Sequence, residues 1–116
     1  MSDARFDTDD EIRDISEVPA VELINTVAVH FMSAAAVKLG LSDSQNASAD
    51  IDLDEARKLI TVLAGLVVAA APEIGDQHAR PLRDGLRSLQ LAFREASSIQ
   101  DAPGKGPGEK LTGAVN

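Results

Sequence analysis

The sequence predicts an all-α fold, a hairpin of two mostly apolar helices with a third amphipathic helix packed across it, between disordered N- and C-terminal tails. Three observations predict it. Apolar residues recur at spacings of three and four in three separate stretches, the period of a helix rather than the alternation of a strand. Hydrophobic residues are 44% of the 116 while aromatics are only 3%, so the core has to be aliphatic and Ala-rich, which suits closely packed helices. Helix punctuation (Pro19, Gly40, Asp52, Gly75) falls at the edges of those stretches. The chain therefore divides into an acidic leader (1–17), a three-helix domain (18–97) and a Pro/Gly-rich tail (98–116).

The leader carries Asp3, Asp7, Asp9, Asp10, Glu11, Asp14 and Glu17 against Arg5 and Arg13, and its charge and low hydrophobicity predict disorder. Phe6, Ile12 and Ile15 are the residues through which it could dock on a surface. The first helix is expected from about Pro19 to Leu39, with proline favoured at a helix start. Val21, Ile24, Ala28, Phe31, Ala35 and Leu39 make one seam, and Leu23, Val27 and Ala34 a second strip. Gly40 supplies a left-handed stop, with Leu41 folding back as in a Schellman motif. Ser42 to Asp50 reads as a polar linker.

The second helix, Asp52 to Ile74, organises the rest. Asp52 is placed to cap it, with Glu55 three residues on in a capping-box-like pair. Asp54 and Lys58 have the spacing of an i,i+4 ion pair. Ala56, Ile60, Leu63, Val67, Ala70 and Ile74 form its seam. Leu59, Leu66, Val62 and Ala69 widen that seam on one side, and Ala64 and Ala71 on the other. An apolar arc of roughly two-thirds of the circumference exceeds the ordinary amphipathic stripe of a little over 100°, so this helix must be buried on two sides. Pro72 should end or kink it, and Gly75 permits the turn. Asp76 is a candidate cap for the third helix, which reaches about Ala96, although Pro81 suggests that its regular part starts only there. Leu82, Leu86, Leu89 and Phe93 are its core seam. Arg80, Arg83, Arg87 and Arg94 fall on a separate stripe, with Leu91 beside it.

A net charge of −8 argues against general binding to nucleic acid or anionic membrane. The absence of cysteine excludes disulfides and thiolate metal sites, and with no secretory signal in the acidic first residues it fits a cytoplasmic protein. The longest uncharged stretch, Leu23 to Val37, reads as too short and too polar to span a bilayer. Asp50, Asp52 and Asp54 have the spacing of a calcium loop but lack its glycine and its distal acid, so capping is their expected role. His30 and His78 belong to no metal or catalytic pair. Gly104, Gly106 and Gly108 around Lys105 lack the Gly-Lys-Ser/Thr of a phosphate loop. No nucleophile elbow or carboxylate pair is present, so neither an enzyme, a cofactor nor a metal is expected.

Two surfaces remain for function. The apolar surplus predicts self-association of two copies through Leu23, Val27 and Ala34 of the first helix and Val62, Leu66 and Ala69 of the second. Arg80, Arg83, Arg87, Leu91 and Arg94 are the expected partner-binding surface. Together they describe a small self-associating helical scaffold or adaptor. The alternative is a ribosome- or RNA-associated accessory factor using the arginine stripe on phosphates.

The order of elements carries a resemblance. An aliphatic helix ending in Lys38-Leu39-Gly40, then LDEARKLITVLAGL (Leu53 to Leu66), then LRDGLRSLQLAFREA (Leu82 to Ala96) resembles the bacterial family catalogued as domain of unknown function 1844. PEIG, the HARPLRDGLRSLQLAFREAS stretch and the PGKGPGEK tail make the chain most similar to the actinobacterial branch. The resemblance covers roughly residues 18 to 97 and implies no catalytic residues. The placing of actinobacterial relatives' genes beside those of translation initiation factor three and large-subunit ribosomal proteins implies an association with translation.

Overall fold

The computed structural model describes residues 17–42 and 46–116. The disorder expected of the leader falls outside these, apart from Glu17. Among the described residues there are three long helices and no strand: α1 (Ala20–Lys38), α2 (Leu53–Ile74) and α3 (Asp76–Ala96). A single 3₁₀ turn (Ala47–Asp50) lies between α1 and α2, and a short helix, α4 (Glu109–Thr112), follows α3.

Each boundary has a local cause. Pro19 precedes α1, and its carbonyl accepts from the Glu22 and Leu23 amides. The helix stops in a Schellman motif, as the sequence predicts. Gly40 takes φ 78°, its N–H donates to the Val37 carbonyl, and the Leu41 N–H donates to that of Ala36. The Leu41 side chain stays exposed. Ile51 packs so tightly on Gly40 that a Cβ there would lie 2.7 Å from its Cγ1. The Asp52 N–H donates to the Lys38 carbonyl, which joins the end of α1 to the start of α2 and makes the pair antiparallel.

Asp52 caps α2 by accepting from the Glu55 N–H at 3.2 Å. The reciprocal half of the capping box is absent, because the Glu55 carboxylate takes Lys58 at 2.8 Å instead. Lys58 thus pairs with Glu55 and not with Asp54, and that hydrogen bond raises the Lys58 pKa. Pro72 does not end α2, which continues to Ile74 before Gly75 turns the chain at φ 84°. α3 likewise starts at Asp76 rather than at Pro81. Gly75 holds its N-cap position, and the Asp76 side chain is used elsewhere.

The three predicted seams meet in one core. Ala28 and Ala35 of α1, Ile60, Leu63 and Val67 of α2, and Leu82, Leu86, Leu89 and Phe93 of α3 are all buried. Alanines at the α1 contact let the helices approach closely, and a Cβ on Gly85 of α3 would lie 2.9 Å from the Met32 thioether. Contrary to the sequence reading, α1 is apolar enough for its length to cross a membrane, with a mean hydropathy of 1.5. It lies along α2 all the same, with only 11% of its most apolar window buried in the chain.

The tail is the main departure from expectation. Residues 98–116 are not a loose tail. They return along the bundle and pack on α2 and α3. Pro107, Gly108, Glu109 and Val115 are buried. A Cβ on Gly108 would sit 2.6 Å from the Ala64 Cβ. The second buried side of α2, which the sequence demanded, is therefore covered within the chain at Ala64.

Candidate functional site

The arginine stripe of α3 is where the returning segment lands. Periodicity turns Gln90 toward the gap between the core seam and the arginines, and there it is 3% exposed. Its side-chain amide donates to the Pro107 carbonyl and to Thr112 Oγ1, both at 3.1 Å. The Arg87 guanidinium donates to the Asn116 main-chain oxygen at 2.6 Å. Arg94 stands 4.0 Å from the Glu109 carboxylate. Farther round, Arg57 of α2 lies 4.9 Å above the Phe93 ring and donates to both oxygens of Asp101, the nearer at 2.8 Å.

Glu109 is the hinge of this arrangement. Its carboxylate is nearly buried and accepts from the Gly104 N–H (2.9 Å), the Gly106 N–H (3.1 Å) and the Val115 N–H (3.3 Å). The glycines that superficially resemble a phosphate loop do cradle an anion with their backbone amides, and the anion is their own chain's carboxylate. Gly104 and Gly108 have φ of 82° and 76°, a conformation that an L side chain rarely adopts and that curls the loop around Glu109.

At the N-terminal end of the stripe, Arg80 and Arg83 both donate to Asp76, at 2.9 Å each. Asp76 is thus a bridging carboxylate. The hydrogen bond from Arg83, followed by that from Arg80, holds its pKa below the ordinary aspartate value. Arg80 and Arg83 remain largely exposed. Arg83 and Asp76 border a groove of about 820 Å³ between α2 and α3, floored by Val67, Ala71 and Leu86 and closed at one end by Val115. Leu91 is half-buried, and of the expected partner-binding stripe Arg87 and Arg94 face Asn116 and Glu109 of the returning segment.

The residues expected to mediate self-association are distributed as follows. Leu23 (43% exposed), Val27 (37%) and Val62 (56%) are large aliphatics open to solvent, and Ala34 and Ala69 are exposed with them. Leu66 is not free, because it packs against the core cluster. Helical periodicity places the exposed five on the side of the α1–α2 hairpin turned away from α3. His30 and His78 are exposed on separate helices. Sequence reasoning missed Gln90 and Glu109. The signal for Glu109 was a Gly-x-Gly-x-x-Glu spacing, with two backbone donors at the reach of a carboxylate.

An antiparallel apolar hairpin with a charged third helix laid across it defines a small all-α domain. A family described as "Domain of unknown function (DUF1844)" matches residues 20–95, and the chain belongs to that family. No curated protein and no solved structure matches the chain.

Proposed function

We propose that the protein is a small self-associating helical adaptor, in which two copies pair through the open face of the α1–α2 hairpin. The observation that carries this is the one-sidedness of α1. Thirteen of its nineteen residues are apolar, yet only Ala28 and Ala35 are fully buried. Leu23 and Val27 stay exposed beside Val62 of α2. Fully burying such a side chain contributes roughly 1.5–3 kcal/mol, of which about half remains to be gained here. Contributed by each of two copies, the three supply roughly 5–9 kcal/mol against an association cost of about 4–15 kcal/mol. The small residues Ala34 and Ala69 permit the close approach that adds dispersion contacts to this sum. Moderate, concentration-dependent pairing is the expectation.

Sedimentation velocity across nanomolar to high micromolar concentration tests this. The wild type should shift from monomer to dimer, and Val27→Glu and Val62→Glu should each hold it monomeric without loss of helicity. A wild type that stays monomeric at high micromolar concentration, or variants that still pair, would remove the proposal. Partition of the wild type into detergent or vesicles in place of pairing would assign the same face to lipid. The partner-binding role falls to the α3 stripe. The RNA reading of that stripe is the weaker one, because the chain carries a net charge of −8 and the returning segment already occupies Arg87 and Arg94.

A further inference from the structure

We infer that the groove between α2 and α3 is a docking site for this chain's own acidic leader, with Phe6 on its apolar floor and the flanking aspartates on the arginine rim. The groove has the size and make-up of a ligand site, about 820 Å³ with walls from Val67, Val68, Ala71, Leu86 and Val115. Its open mouth lies at the Gly75 turn, where Asp76 meets Arg83. Around that mouth two arginines, Arg80 and Arg83, face one aspartate, Asp76. An occupant must therefore be apolar in the middle and acidic at its edges.

Residues 1–16 fit that description. They hold six acidic residues against two basic ones, and Phe6 is bracketed by Asp3 on one side and Asp7, Asp9 and Asp10 on the other. They are also tethered at the right end. Because α1 and α2 are antiparallel, the start of α1 and the Gly75 turn share one end of the bundle. The run from Phe6 to Glu17 extends to roughly 35–40 Å at about 3.3–3.6 Å per residue. That matches the middle extent of the molecule, 37 Å, and exceeds the smallest, 19 Å, so the leader can round the end of the hairpin and enter the groove. Tethering raises the local concentration of such a segment to the order of millimolar, enough for a weak contact to be populated. The returning C-terminal segment already shows the chemistry on a small scale, since Arg87 clamps a main-chain oxygen at the closed end.

The test uses the full chain with 4-fluorophenylalanine incorporated. The protein has three phenylalanines, so Phe6, Phe31 and Phe93 give separate fluorine resonances. The Phe6 line should be displaced and broadened relative to a synthetic peptide of residues 1–17, and should move back to the peptide position in 1 M salt. Arg80→Glu with Arg83→Glu should have the same effect. These two arginines contact Asp76 and not the C-terminal segment, so an unmoved Phe93 line, beneath Arg57, reports that the bundle is intact. Val27→Glu should leave the Phe6 line displaced, which separates this result from the fate of the pairing proposal. A Phe6 line at the free-peptide position in the wild type overturns the inference. So does a displacement that survives both arginine changes, or one that grows with protein concentration and so reports docking on another molecule.

Discussion

Glu109 offers the most exacting test of the returning segment as part of the fold. Replacing it with alanine removes the acceptor for the Gly104, Gly106 and Val115 amides and the counter-charge of Arg94. Hydrogen bonds to a charged group contribute about 1.5–3 kcal/mol each. Water can reach the vacated loop amides, so the full sum will not be lost. Removal of one partner from a buried charged network typically costs about 3–5 kcal/mol. There is also a ceiling. Once the loss exceeds the docking free energy of residues 101–116, the segment lifts off and no further stability can be lost through it. About 3 kcal/mol is the expected decrease in urea unfolding, with the Gly106 and Val115 amides losing protection against hydrogen exchange. Glu109→Gln should lose about half as much. Its one carbonyl oxygen still serves Gly104 and Gly106 while its NH₂ faces the Val115 N–H donor to donor. If Glu109→Ala costs under about 0.5 kcal/mol and both amides stay protected, the carboxylate is not what holds this segment.

Gly108→Ala should be destabilising by about 2 kcal/mol or more, since φ is 76° and the new methyl would lie 2.6 Å from the Ala64 Cβ. Ala64→Gly added to it should recover the steric part and leave the conformational part, read as a double-mutant cycle in chemical denaturation; strictly additive losses would mean that the two residues do not meet. Asp76→Asn should lower the melting temperature at neutral pH by releasing Arg80 and Arg83. Because the native Asp76 pKa is depressed, its contribution is complete above the ordinary aspartate range and is lost as pH falls through the lowered native value. The gap between wild type and Asp76→Asn should therefore close in acid, and a gap constant from neutral to strongly acidic pH would refute the bridge.

The helical framework was legible because it is local. Leu82, Leu86, Leu89 and Phe93 declare a face by spacing alone, and Gly40 declares a stop by being the one residue at ease at φ 78°. Asp52 was readable as a cap for the same reason. Proline effects were misjudged, since Pro72 and Pro81 sit within two helices whose packing outweighs the lost backbone bonds. The returning segment was illegible because its contacts are remote in sequence. Gln90 reaches Pro107 and Thr112, and Arg57 reaches Asp101. A run rich in Pro and Gly reads as flexible until the partner surface is known, and the same glycines then become the means of a tight wrap. The arginine stripe was visible, but which acceptors it meets depends on that wrap.

The attachment of α1 by its alanines sets the order in which the molecule can come apart. α2 is held by both other long helices and by the returning segment, whereas α1 contributes Ala28, Ala35 and the nearby Leu39 to the deepest contacts. The larger Phe31 and Met32 are only partly buried against the core, so less oily surface leaves water here, and the first helix should open at lower free energy than the other two and exchange its amides sooner. Anything that clamps its outer side would slow that breathing selectively, so the tempo of α1 serves as a gauge of whether its face is occupied.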